Sequence, residues 1–240
     1  MIDRRSVCLG TAAAMVGASA RAAPDAPLFT SGPMSRNTLA TFFKTPGAPL
    51  TLPDAPLLSA NGPQRLSQLG GRTWLVSLWA EWCAPCLQEA TDVAMIGRTH
   101  GGPSFGVIFV LTHSDKKLNL AEAQAVLAKR GAGDATLFVE ADGKDKIYQA
   151  LSVQDYPDGL RAITKTDRGP SLPCNLLVDR HGQVRARAFG SPAIPGGAPP
   201  HPGPMTDADK ARALTQHTMW ATPTGSEFAA ALAAGVLDKA

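Results

Sequence analysis

The chain has 240 residues, enough for one domain with a real core, alone or with extensions. Its formal net charge of +3 is too small to mark a nucleic-acid or anionic-membrane partner. With 44% hydrophobic residues and 20 prolines it is otherwise an ordinary globular composition.

Residues 1–23 read as a signal peptide. Arg4 and Arg5 form a charged start, Val7 to Ala20 a short apolar stretch, and Ala20-Arg21-Ala22 a small-x-small cleavage site. The adjacent arginines partly match a twin-arginine export signal, with Val7 where Phe is usual. The stretch is too short and too weakly apolar to span a bilayer, so the expected mature protein is periplasmic and carries no membrane span. Cys8 lies too early for lipid attachment and leaves with the signal peptide. Three cysteines then remain: Cys83, Cys86 and Cys174.

Residues 24–49 are proline-rich and aperiodic and read as a tether or surface arm, with one short turn over Leu39–Phe43. Leu50–Pro53 and Pro56–Ser59 read as short strands, Asn61-Gly62 as a turn, and Gln64–Ser67 as the returning strand of a hairpin. Thr73 to Ala80 is nearly continuously apolar, the pattern of a strand covered on both faces.

Residues 79–89 follow as Trp-Ala-Glu-Trp-Cys-Ala-Pro-Cys-Leu-Gln-Glu, and Leu87–Ile96 is helix-compatible. That is a strand, a tight turn, and a helix whose first turn carries Cys83 and Cys86. A helix N-terminus presents unpaired N–H groups and a partial positive charge, which stabilise a thiolate and lower its pKa. Pro85 suits the first turn, where a missing N–H costs nothing. The spacing supplies an attacking thiol, Cys83, and a resolving thiol, Cys86. Half of a zinc site is the competing reading, but His100, His113, His181, His201 and His217 form no ligand pair with Cys174. A purely structural bridge across so short a loop would gain little. Glu89 lies three residues past Cys86, on the same helix face. Partly desolvated there, it can take the proton from Cys86 as that thiol attacks a mixed disulfide. Trp82 borders the dithiol as a shield and contact surface.

The W-C-x-P-C-x-x-E form resembles the thioredoxin superfamily, in its exported TlpA- and ResA-like branch, over about residues 50–190. The resemblance implies an α/β thioredoxin fold: a central mixed sheet flanked by helices, with an N-terminal hairpin and a C-terminal helical extension. It implies an active-site role for Glu89. Ser77 stands where many thioredoxins carry a buried Asp, so the proton must come from elsewhere. Ala90 replaces a Pro common after the Glu.

Gly101-Gly102-Pro103 ends the site helix, and Phe105–Leu111 reads as a second buried strand in a right-handed, parallel crossover. His113, just past that strand, is left as a surface residue. Asn119 and Glu122 have the spacing of a capping box for a helix through Lys129 that buries Leu120, Ala123 and Leu127. Thr136–Glu140 reads as a strand, Asp142-Gly143 as a turn, Lys144–Leu151 as a short helix, and 152–171 as a long polar loop beside the site.

Leu172-Pro173-Cys174-Asn175 then resembles the family's cis-proline segment. The resemblance gives Pro173 the cis bond and places the Leu172 backbone beside Cys83, where an extended client segment can pair with it. Trp82, Pro85, Leu172 and Pro173 are thus the expected client-binding residues. Cys174 stands where the family has Thr or Ser, and reads either as a small buried residue or as a third thiol able to help hold Cu(I). Val184–Phe189 alternates as an antiparallel edge strand. Residues 190–204 form a stiff Pro/Gly loop; Thr206–Trp220 and Ser226–Leu237 read as helices separated by Pro223, the second covering a sheet face.

The domain plan is therefore 1–23 signal peptide, 24–49 arm, 50–190 thioredoxin-like domain, and 191–240 loop and C-terminal helices. The expected activity is thiol–disulfide oxidoreduction, which the resemblance implies runs in the direction that reduces client disulfides, with the Cys83–Cys86 disulfide itself as the redox group, no separate cofactor and no bound metal. The partners that the resemblance implies are client proteins with disulfides, cytochrome c apoproteins and copper-centre assembly proteins among them, and a membrane thiol donor. A disulfide-forming oxidase, or a Cu(I)-binding protein using Cys83, Cys86 and Cys174, are the alternatives.

Overall fold

The computed structural model describes residues 26–46, 50–141, 146–152, 154–155, 168–169, 172–194, 206–208, 211 and 215–239. The signal peptide lies outside them, as does most of 152–171. Among the described residues no helix is long and apolar enough to cross a membrane.

Strand β4 (Thr73–Trp79) is buried at every residue, as its unbroken apolar run predicts. It pairs in parallel with β5 (Phe105–Leu111) and antiparallel with β9 (Cys174–Val178). Outward from β5 come β6 (Leu137–Glu140), β2 (Pro56–Ser59) and β3 (Gly62–Arg65); outward from β9 come β10 (Gln183–Phe189) and the two-residue β1 (Leu50–Thr51). Helix α1 (Ala84–His100) makes the crossover between β4 and β5, and α2 (Leu120–Ala128) the one between β5 and β6. The capping box of α2 forms in full: Asn119 Oδ1 accepts from Glu122 N, and Glu122 Oε2 accepts from Asn119 N.

Side-chain alternation divides the core in two. Leu75 and Trp79 of β4 and Leu177 of β9 pack with Ala90, Val93 and Ile96 of α1. Trp74, Val76, Leu78, Cys174, Leu176 and Val178 pack in the other cluster. This parity decides which residues reach the dithiol.

Several expectations change. The hairpin turn lies at Ala60-Asn61, since Ser59 faces Gly62 across the ladder. Gly62 takes φ 94° and Asn61 does not enter the left-handed region, so the glycine serves the backbone as the first residue of the returning strand. β1 does not join the hairpin; it borders β10, as does Lys44 through its backbone, so β10 is not a free edge. Of residues 152–171, Gln154–Asp155 (β7) and Arg168–Gly169 (β8) form a small antiparallel ribbon.

The segment read as a tether is clasped to the body. Phe29, Leu39 and Phe43 are buried, and Phe43 packs 6.1 Å from Trp220 and 5.3 Å from Phe228, ring to ring. Asn37 Nδ2 donates to Thr224 O at 3.0 Å. Helix α3 (Pro223–Ala233) starts at Pro223 rather than after it, because proline at the first helical position loses no hydrogen bond. It packs on α1 and, through Phe228, on Phe29 and Phe43 of the arm. The helix expected over Thr206–Trp220 falls partly outside the described residues; its end is instead a bridge at Thr218 and a 3₁₀ turn over Met219–Ala221.

Phe43→Ala should therefore cost about 3–5 kcal/mol in chemical denaturation, the range for emptying a buried aromatic position. An unchanged midpoint would mean that the arm is a tether after all.

Candidate redox-active site

Cys83 is the N-cap of α1, and Ala84 and Pro85 fill its first two positions. The Cys86 N–H donates to Cys83 Sγ at 3.3 Å. The two sulfurs are bonded as a disulfide, with Cα atoms 5.3 Å apart. Both residues are only 2% exposed, on the cluster shared with α1. After reduction, a Cys83 thiolate lies on the unpaired N–H groups of the helix start, the place where negative charge is favoured.

The approach to the dithiol is held by β5's far end. Trp82, 41% exposed, donates its indole N–H to His113 O at 2.8 Å. Glu81 Oε1 accepts from Lys116 N at 2.8 Å. His113, left unassigned by the sequence, sits at φ 50° with its ring stacked on Tyr148 at 4.3 Å and edge-on to Trp82 at 5.8 Å. Trp82, His113 and Tyr148 thus form one aromatic group. A cavity of about 400 Å³ opens beyond His113, floored by Leu58, Leu111 and Val139.

The Leu172–Pro173 peptide bond is cis. Leu172 packs against both core clusters, including the one that holds the disulfide, and Pro173 is buried. Pro173 O accepts from Gly190 N at 2.9 Å.

Glu89 is fully buried, one helical turn beyond Cys86. Its Oε1 accepts from Asn175 Nδ2 at 2.9 Å. Burial pushes its pKa up to about 8; Asn175, Ser191 and Trp220 pull the other way as hydrogen-bond donors, and the Asp92 charge adds to the rise. Ser191 and Trp220 are near enough to favour the ionised carboxylate, yet neither closes a bond of good geometry with it: Glu89 Oε2, Asn175 Oδ1, Ser191 Oγ and Trp220 Nε1 are all buried and unpartnered. Ser77 faces Asn175 across the β4–β9 ladder. The carboxyl group of Glu89 comes to this core from the helix, not from the strand position that Ser77 fills.

Cys174 points the other way. Its thiol is buried in the opposite cluster, 3.6 Å from Leu151 O, and burial pushes its pKa well above the thiol range. A sheet layer separates it from Cys83 and Cys86, so the three-thiol copper site has no geometry to support it. Among the described residues no three His, Cys, Asp or Glu side chains are grouped to hold a metal ion.

Sequence reasoning missed Asn175, Asp92, Ser191, Thr218 and Trp220. Only Asn175 left a trace: it is the one polar residue inside the apolar run of β9, and alternation turns it away from Cys174 toward α1.

Comparison with known proteins gives a match to the Redoxin family model over residues 45–193. Among solved structures, a putative thiol:disulfide interchange protein DsbE from Chlorobium tepidum is 21% identical, covering 69% of this chain and 96% of its own, at TM-score 0.42. A dsbF structure from MTB, in mixed oxidised and reduced forms, is 19% identical over 69% of this chain and 98% of its own, at 0.37. A putative electron transfer protein from Aquifex aeolicus VF5 is 18% identical over 59% and 83%, at 0.44.

Proposed function

The chain belongs to the Redoxin family, a thiol–disulfide oxidoreductase of thioredoxin fold, and from that premise we propose that it reduces disulfides of exported client proteins. The observation that carries this reading is a disulfide at the start of α1 with a fully buried carboxyl group, Glu89, one turn behind it.

The cycle passes two electrons from donor to client, and the donor thiols and client thiolates exchange their protons with solvent. A membrane donor's thiolate attacks Cys83 Sγ; the Cys83–Cys86 bond breaks and Cys86 leaves as a thiolate. Glu89, with a pKa of about 8, still holds its proton at neutral pH and delivers it to Cys86. A second donor thiol then releases the Cys83 thiolate. That thiolate attacks a client disulfide, and Cys86 resolves the mixed disulfide while its proton returns to Glu89. The base role expected from sequence is therefore the return half of a cycle in which Glu89 starts as the acid. The two electrons are carried by the reduced Cys83/Cys86 dithiol, so the cycle calls for no separate cofactor.

Export to the periplasm rests on the Arg4-Arg5 signal segment, and cytochrome c apoproteins or copper-centre assembly proteins are the client classes the family resemblance favours. Trp82 and the Leu172–Pro173 segment are the contact surface for the client.

Equilibration of Cys83/Cys86 with glutathione or dithiothreitol tests the direction. A potential near about −270 mV fits a reductase, and one near about −120 mV marks a disulfide-forming oxidase and removes the reducing role.

A further inference from the structure

Glu89 is enclosed on one side by a strap whose first half, 190–193, ends the Redoxin match and whose second half, 217–220, lies beyond it. Gly190 N is tied to Pro173 O at 2.9 Å, which fixes the start of the strap to the client-side loop. Pro192 O then accepts from Met219 N at 2.8 Å, and Ala193 forms a bridge with Thr218. Ser191 and Trp220 therefore arrive together. Thr218 anchors the assembly to α1: its N–H and hydroxyl both donate to Asp92 Oδ2, at 2.6 and 2.9 Å, and His217 Nδ1 lies 2.9 Å from Asp92 Oδ1. Asp92 is buried and lies three residues past Glu89 on α1. No other role absorbs this buried carboxylate, its three contacts, or the unpartnered Ser191 and Trp220 atoms beside Glu89.

We propose that the strap is part of the acid's site: Ser191 and Trp220 are positioning residues whose hydroxyl and indole N–H close onto the Glu89 carboxylate when it ionises. The inference rests on Glu89 acting as the proton donor to Cys86. Burial alone would hold that proton too tightly for transfer. Two donors that bond the ionised form more strongly than the neutral acid lower the cost of releasing it and set the acid close to its working pH. Glu89 Oε2, Ser191 Oγ and Trp220 Nε1 are the buried, unpartnered atoms that this closure would satisfy. Among the described residues, the ionisable groups bearing on Glu89 are Cys86 once the disulfide is reduced, Asp92 on its own helix, His217 through Asp92, and Cys174 from β9. Helix α3 and strand β5 bring apolar side chains to this core: Phe228, Ala229 and Leu232, and Phe105, Phe109 and Leu111.

The test is the titration of the Glu89 carboxyl carbon by NMR in the oxidised full chain, with Glu89→Gln for assignment. Trp220→Phe and Ser191→Ala should each raise the midpoint by about half a unit or more, and Ser191→Thr should restore it. Trp220 is also a core residue, so if Trp220→Phe does not fold, the Ser191 pair decides. Midpoints unchanged from wild type, whatever happens to stability, would overturn the proposal. If Glu89 titrates high and the variants shift it, but Glu89→Gln leaves the rate of disulfide reduction untouched, the acid role falls and the strap's hold on the carboxylate stands.

Discussion

A Cys86→Ser chain will accumulate clients as covalent mixed disulfides on Cys83, and Cys83→Ser will capture none. Turnover with a disulfide substrate should fall by about 10³-fold or more in both, ~4 kcal/mol of barrier, because each removes a covalent step rather than a contact. The asymmetry in trapping is the informative part. Cys83 is the N-cap and receives the stabilisation of the helix start, whereas Cys86 sits inside the first turn with its own N–H directed at Cys83 Sγ. Both are 2% exposed, so capture requires the dithiol to be uncovered and should be slower than the reaction of a free exposed thiol. Non-reducing gels of cell extracts followed by mass spectrometry provide the readout. Trapping through Cys86 in the Cys83→Ser chain would reverse the assignment of attacking and resolving thiols.

Glu89→Gln should make the protein more stable, increasingly so as pH rises. The Glu89 pKa is raised from 4.5 to about 8, so between those values the unfolded chain has lost this proton and the folded chain has kept it. Folding stability therefore declines by about 1.4 kcal/mol per pH unit through that window, and the Glu89 contribution is constant below and above it. Gln keeps the shape and can accept from Asn175, but it has no proton to lose. Melting temperatures of the two proteins should agree near the low end of the window and separate toward its top. Reduction by dithiothreitol, corrected for the thiolate present, should be about 10²-fold slower in the variant at neutral pH, with the two rates converging above the Glu89 pKa. Parallel pH profiles for stability would show that Glu89 is not held protonated; parallel profiles for rate would remove it as the acid.

Much of the fold was legible because the signals were local. The unbroken apolar run of β4, the Cys-Ala-Pro-Cys turn, and the Asn119–Glu122 box each lie within one element and fix geometry through near neighbours. Where the reading failed, the missing term was a distant partner. The proline-rich arm has no periodicity of its own, since its aromatics answer to Phe228 and Trp220 far along the chain. Pro223 reads as a breaker or a starter according to what lies on either side, and only the packing of α3 on α1 decides it.

By itself the sequence determined the redox chemistry: a dithiol at a helix start is a property of eleven consecutive residues, Trp79 to Glu89. Tertiary structure decided what surrounds it. Asn175 meets Glu89 across 86 residues of chain, and Thr218 meets Asp92 across 126. Strand parity places Asn175 facing the acid and turns Cys174 away behind the sheet. A buried carboxyl's pKa is set by desolvation and by the donors that fold against it, and neither exists until the chain has closed around Glu89.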